Sequence, residues 1–190
     1  MSRPALRRAA LFAAALAAGC SSGPRQEMSD WEKRHPELVA PASARSEAPP
    51  TPPFPRRENL IEFYASAHAT FRYFIDASTL QALYDRREVR YVLVARSPSG
   101  VDNVSFEALR CPDVYRIFAV GSDGKWTARA SDWQPTVRRS DLAVQSTLAR
   151  QFFCPHNDPI QSAAEGVNAL RSGAHPSVYV EQNNRGGGSY

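Results

Sequence analysis

The chain has 190 residues, of which 43% are hydrophobic and 22% charged, with 15 prolines. This length allows one domain plus appendages. The formal charge is +4, but three of the 23 basic residues (Arg3, Arg7 and Arg8) lie at the amino terminus, and the others nearly balance the 19 acidic residues. Because the body of the chain has no basic excess, composition argues against a nucleic-acid-binding protein.

Residues 1–19 have the features of a secretory signal peptide. The three arginines form a charged start, residues 9–18 form an apolar run, and small residues lead up to Cys20. The run is about half of the roughly 20 apolar residues that a membrane-spanning helix needs. We therefore expect residues 1–19 to be removed during export.

Cys20 follows Leu16–Gly19, a stretch that resembles a bacterial lipobox with its leucine one position early. We expect Cys20 to be acylated, and two or more acyl chains give stable membrane anchoring. Ser21 and Ser22 follow without an aspartate, which favours the outer membrane, with the protein on its periplasmic side. The alternative is cleavage near Ala18, which would leave a soluble periplasmic protein.

Residues 20–57 show neither strand alternation nor helical periodicity. Pro49–Pro53 contains four prolines and favours extended polyproline II, which serves as a semi-rigid spacer. Trp31 and Phe54 are the only aromatic residues here, and each could dock on the domain or on a partner. We interpret the segment as a lipidated, proline-rich tether.

From Glu58 the pattern changes to short alternating segments that predict strands. Glu88–Ser97 is apolar on both faces, so it should be a central strand. Asp102–Cys111 alternates, with Val104, Phe106 and Ala108 predicted inward and Asn103, Ser105 and Glu107 outward. The other predicted strands are Glu58–Ala65, Thr70–Asp76, Val114–Val120 and a segment around Trp126 that follows the turn Gly121–Gly124.

Two helices are predicted after the strands. The first is capped by Ser140 and has an apolar stripe of Val144, Leu148 and Phe152. The second begins with Asp158 as N-cap, Pro159 and Gln161, and ends at Gly173. Residues 182–190 are interpreted as a flexible tail. The predicted fold is α+β: residues 58–181 form an antiparallel sheet of five to six strands with the C-terminal helices on one face.

Cys111 and Cys154 remain as a pair if Cys20 is acylated. In an oxidising compartment an even pair is expected to form a disulfide. The alternatives are a catalytic thiol, for which His156 is the one suggestive neighbour, or a metal ligand.

Several short motifs together resemble the CNP1-like family of exported proteobacterial proteins. They are Val89–Leu93, Ser97–Gly100, Asn103–Glu107, Arg110-Cys111 and Phe153–Pro155. The resemblance implies an exported single-domain protein, supports the disulfide, and supplies no catalytic residues. The sequence departs from the family pattern at Tyr84–Glu88, where a glycine-bearing turn is expected, and at Ala108, where glycine is more usual.

The sequence contains no recognisable cofactor or metal motif. Its four histidines form no HExxH pair, no glycine-rich loop follows a strand, and no GxSxG elbow is present. The candidate binding residues are Arg90, Asn103, Glu107 and Arg110, although alternation places Arg110 on the opposite face. The alternative is structural, with Glu107 paired to an arginine of a neighbouring strand.

These patterns favour an outer-membrane-anchored lipoprotein whose domain is a non-enzymatic binding or structural module of the cell envelope. Its expected partners are the membrane, through Cys20, and another envelope protein or peptidoglycan. A periplasmic hydrolase with a polar site around Glu107 is the alternative. That alternative predicts a concave site with a perturbed Glu107 pKa.

Overall fold

The computed structural model describes residues 48–129, 131–136 and 144–178. The signal peptide, Cys20 and Trp31, the tether up to residue 47, the Ser140 cap and the 182–190 tail lie outside the described residues.

Eight antiparallel strands within the described residues form the sheet. They are β1 (Leu60–Phe63), β2 (Arg72–Asp76), β3 (Gln81–Leu83), β4 (Glu88–Arg96), β5 (Asp102–Arg110), β6 (Val114–Ser122), β7 (Lys125–Ala128) and β8 (Gln134–Pro135). The order is β1-β2-β4-β5-β6-β7, while the short β3 pairs with β4 and β8 pairs with β6. The predicted antiparallel sheet is confirmed, and β3 and β8 are additions.

Strand β4 is central, as its apolar pattern predicted. It pairs with β5 along its whole length, from Glu88 to Arg96. On its other side, β3 pairs with its first half and β2 with its second half. Val89, Tyr91 and Val92 of this strand have no exposed surface. Both faces of the sheet must therefore be covered.

The two faces carry separate hydrophobic cores. The inner face is the one covered by helices. Its core includes Phe63, Ile75, Val89, Tyr91, Leu93 and Leu109 from the strands, and Leu148, Phe152, Phe153, Ile160 and Leu170 from the C-terminal region. The outer face is the opposite one. Its core consists of Phe74, Val92, Val94, Val104, Phe106, Ala108, Phe118 and Ala119, with Phe54, Leu60, Trp126 and Trp133 packed against it.

The helices lie on the inner face, as predicted. Helix α1 (Val144–Thr147) continues directly into a π-helical segment, Leu148–Phe153, and helix α2 is Ala163–Arg171. The stripe of Val144, Leu148 and Phe152 contacts the inner core, which confirms that part of the prediction.

The predicted start of the second helix is wrong. The helix begins after Ser162, whose hydroxyl accepts a hydrogen bond from the Glu165 amide, rather than after Asp158. Ile160 is fully buried, and its amide donates to the Phe153 carbonyl at 3.0 Å. Because residue 160 is held by the core in this way, helical geometry starts only beyond it.

A disulfide joins Cys111, at the end of β5, to Cys154, after the π-helical segment. The Cα atoms are 5.6 Å apart and the residues are separated by 43 positions. Both cysteines are buried in the inner core. The predicted disulfide is confirmed, and it fixes the helical layer to the sheet.

The turn before β4 contains no glycine, yet it has the backbone that glycine favours. Arg87 adopts a left-handed conformation with φ of 54°. Its guanidinium donates to the Asn157 carbonyl at 2.8 Å and to the Asp158 carboxylate at 2.7 Å. Arginine therefore replaces the expected glycine at a position where its side chain ties this turn to the segment after the disulfide.

Replacing both bridged cysteines, Cys111→Ser with Cys154→Ser, should lower the free energy of unfolding by about 2–4 kcal/mol, since the bridge restricts the unfolded chain. Urea unfolding followed by circular dichroism measures the change. Reduction of the wild-type protein is the matched control and should shift its midpoint to that of the double variant. An unchanged midpoint in both experiments would contradict a stabilising role.

Candidate functional site

The four candidate binding residues lie on two different sides of the sheet. Arg90 and Arg110 belong to the outer face, where they pair with Glu88. Asn103 and Glu107 belong to the inner side: Asn103 is exposed near the start of β5, and Glu107 is buried. The four residues therefore do not form one site.

The prediction that Glu107 points outward to solvent is wrong, because the α1 segment covers this part of β5. The Glu107 side chain is 2% exposed. It accepts hydrogen bonds from the Tyr91 hydroxyl at 3.2 Å, the Ser105 hydroxyl at 2.6 Å and the Gln145 amide at 3.1 Å. Buried carboxylates need such donors, and here hydroxyl and amide groups supply them instead of the arginine expected from sequence.

Burial raises the pKa of the Glu107 carboxyl above its usual range, while the hydrogen bonds from Ser105, Gln145 and Tyr91 act in the opposite direction. Burial also raises the pKa of Tyr91, and the neighbouring Glu107 charge adds to this. A carboxyl group with a raised pKa can act as an acid in catalysis. Glu107 lines neither the cavity beside the β1–β2 hairpin nor the cavity beside the 121–124 turn.

On the outer face, Glu88 joins two of the candidate residues. Its carboxylate accepts from Arg90 Nε at 2.6 Å and lies 3.5 Å from Arg110 Nη2. Glu88 is opposite Arg110 in the β4–β5 register, and it is 3% exposed. Sequence reasoning missed Glu88, although a glutamate two residues before Arg90 in an apolar strand was a signal. One buried carboxylate here faces two guanidinium groups.

Arg110 is the less completely bonded of the two arginines. Its Nε atom is buried and has no hydrogen-bond partner among the described residues. Its guanidinium lies 4.1 Å from the centre of the Trp133 ring. Burial lowers the pKa of Arg110, with the Glu88 charge opposing that effect. Stacking on Trp133 uses the flat face of the guanidinium, so it does not compete with hydrogen bonds that the N–H groups donate in the guanidinium plane.

Guanidinium groups over aromatic rings recur across the whole outer face. Arg72 and Arg96 lie over Phe74, and Arg90 and Arg116 lie over Phe118. The rings beneath are buried. The arginine stems thus help to cover the apolar face, while their charged ends form its outermost layer.

Two further carboxylates partly balance this layer at its margin. Glu62 pairs with Arg72, and Asp102 pairs with Arg96 at 2.6 Å. Hydrogen bonds from these arginines lower the pKa of Glu62 and of Asp102. Among the described ion pairs of the outer face, Glu62 and Asp102 thus each pair with one arginine, whereas Glu88 is shared by Arg90 and Arg110.

Neither a metal site nor a membrane-spanning helix is found in the described part of the chain. No three His, Cys, Asp or Glu side chains within it are grouped so that they could hold an ion. None of its helices has the length and apolar character needed to cross a bilayer.

Comparison with known proteins identifies the family. The model of the CNP1-like family matches residues 41–171. The chain therefore belongs to the CNP1-like family, as the sequence motifs had indicated. No curated protein and no solved structure matches the chain.

The raised pKa of Glu107 makes stability depend on pH. Folding favours the protonated carboxyl, so the free energy of unfolding should fall as pH rises from the usual glutamate range through the raised native pKa. Glu107→Gln cannot titrate and should lose less stability over this interval. Urea unfolding of both proteins from about pH 4, near the ordinary glutamate pKa, to about pH 8 measures the difference.

Glu62→Gln is the matched control with the opposite sign. Because Arg72 lowers the pKa of Glu62, wild type should gain stability relative to this variant as pH rises through the acid range. Parallel pH profiles for wild type and Glu107→Gln would contradict the assignment of a raised pKa to Glu107.

Proposed function

We propose that the chain is a lipoprotein of the bacterial envelope, anchored by Cys20 on the periplasmic side of the outer membrane, whose domain is a non-enzymatic binding module. The signal-peptide pattern of residues 1–19 and the lipobox-like Leu16–Cys20 support the anchor. The disulfide supports an oxidising compartment. The module holds a carboxylate-bearing envelope component against the outer face.

The observation that carries this proposal is that Arg110 is largely buried but only partly paired with a carboxylate. A largely buried guanidinium is stable only when its charge and its N–H groups are matched. Glu88 already bonds Arg90 at 2.6 Å and is further, at 3.5 Å, from Arg110. The Arg110 side chain is 17% exposed. A partner carboxylate at this exposed part would add a second negative charge beside the guanidinium, because arginine binds carboxylates through charge-assisted hydrogen bonds.

The surroundings of Arg110 are those of a binding surface. Arginine and tryptophan are enriched at the energetic centres of protein interfaces. Here Arg110 and Trp133 are stacked together, with Arg90 and Phe118 adjacent. The inner face is filled by the protein's own helices, so the outer face is the one that supports a role in binding a partner.

Peptidoglycan supplies such carboxylates on its stem peptides and is the partner we favour. The experiment mixes the purified full-length protein with insoluble peptidoglycan sacculi and measures the protein that sediments. Arg110→Gln should reduce affinity by about tenfold, equivalent to roughly 1.4 kcal/mol, because it removes a charged hydrogen-bonding group.

Arg150→Gln is the matched control for charge, because Arg150 is exposed on the helical layer. It should bind like wild type. Equal losses in the two variants would mean that binding follows net charge alone and would contradict a site at Arg110. Release of soluble fragments from the sacculi would contradict a non-enzymatic module.

A periplasmic hydrolase that uses Glu107 is the second candidate function. The observation in its favour is the raised pKa of Glu107, a property shared with catalytic acids. Against it, the side chain is 2% exposed and its oxygens are occupied by three donors. Turnover in the sacculus experiment that disappears in Glu107→Gln, with the fold retained, would establish this candidate instead.

A further inference from the structure

The segment before β1 is packed against the outer face of the sheet. Within residues 48–55, Pro49, Pro52 and Pro55 are half-buried, whereas Pro50 and Pro53 are exposed. A spacing of three residues is the repeat of a polyproline II helix. We call residues 48–55 the strap; it occupies the last part of the region that the sequence assigned to a free tether.

The strap is held by a specific polar contact as well as by packing. The Trp126 indole donates a hydrogen bond from Nε1 to the Pro52 carbonyl at 2.8 Å. The Phe54 ring lies 5.3 Å from the Trp126 ring, which in turn contacts Phe106. Polyproline II has no internal hydrogen bonds, so its carbonyls are available to donors of this kind. Aromatic grooves that recognise proline-rich segments exploit this preformed, extended geometry.

The groove beneath the strap is shaped to receive an aromatic residue. A Cβ atom added at Gly121 would lie 2.6 Å from Phe54 Cε2 and 3.1 Å from Val104 Cβ. Glycine at position 121 therefore leaves the space that the Phe54 ring occupies. A cavity of about 250 Å³ extends from Phe54 and Pro55 past Leu60 to the 121–124 turn.

We propose that the groove around Trp126 is a polyproline-binding site. The chain's own strap occupies it, and a proline-rich segment of a partner protein can take the place of the strap. The occupant in trans would be an extended Pro-Pro-aromatic segment, because that is the chemistry of the strap itself. The proposal goes beyond the acidic partner of Arg110 and does not depend on it, since it rests on different residues.

Because the strap occupies the groove, it competes with any peptide that binds there. The strap joins β1 through only a short connection, Arg56–Asn59, so its effective concentration at the groove is high, on the order of mM or more. A peptide in trans must displace it, and the wild-type protein should bind such a peptide weakly. Weakening the strap should expose the groove and strengthen binding.

The test uses the full-length protein and a synthetic peptide with the sequence of residues 48–57, Ala-Pro-Pro-Thr-Pro-Pro-Phe-Pro-Arg-Arg. Titration calorimetry compares wild type with Phe54→Ala and with Pro52→Gly, which loosens the strap but keeps Phe54. Both strap variants should bind the peptide at least about tenfold more tightly than wild type, because the cis competitor is weakened. A scrambled peptide of the same composition and charge should not bind.

Two groove variants complete the design. In the Pro52→Gly background, Trp126→Phe removes the N–H donor but keeps a ring, and Gly121→Ala fills the space taken by Phe54. Each should abolish the gain in affinity while circular dichroism shows a folded protein. Unchanged affinity in both strap variants, survival of binding in both groove variants, or equal binding of the scrambled peptide would overturn the proposal. Concentration-dependent dimerisation through exchanged straps would replace the proposed partner by a second copy of the chain.

Discussion

Strand β4 is buried on both of its faces, and the rest of the structure is arranged to cover them. On the inner side the cover is a helical layer that the Cys111–Cys154 disulfide fixes to the end of β5. On the outer side no helix of the described residues takes part in the core, and arginine stems, two tryptophans and the strap cover the apolar face instead. A cover made of side chains and one extended segment leaves charged and aromatic groups at the surface.

This difference between the two covers links the fold to the proposed functions. The inner layer buries the polar cluster around Glu107 beneath Gln145. The outer layer keeps Arg110 stacked on Trp133 with an incompletely matched charge, and it keeps Trp126 as a donor to a proline carbonyl. The outer face thus has a guanidinium suited to a carboxylate at Arg110 and an indole donor suited to a proline-rich segment at Trp126.

Local patterns were sufficient to predict the sheet, the central position of β4 and the disulfide. What they could not supply was the set of contacts between distant parts of the chain. Alternation placed Glu107 on the polar side of β5, but only the packing of α1 on that side buries it. The sequence also predicted that Asp158 would cap the second helix. Ile160 is instead buried in the core, and α2 starts at Ala163. Proline content indicated that the segment before β1 is extended. It could not show that Phe54 docks on the sheet, because the space for its ring is provided by Gly121, which is distant in sequence.

The most direct test of the central claim, that the outer face is the one that meets a partner, is site-specific photo-crosslinking in intact cells. A photo-reactive amino acid is placed at Arg72, on the outer face and 64% exposed, or at Arg150, exposed on the helical layer. If the outer face meets the partner, crosslinks to envelope components should form from position 72 and not from position 150. Crosslinks only from position 150 would show that the helical layer, not the outer face, binds the partner.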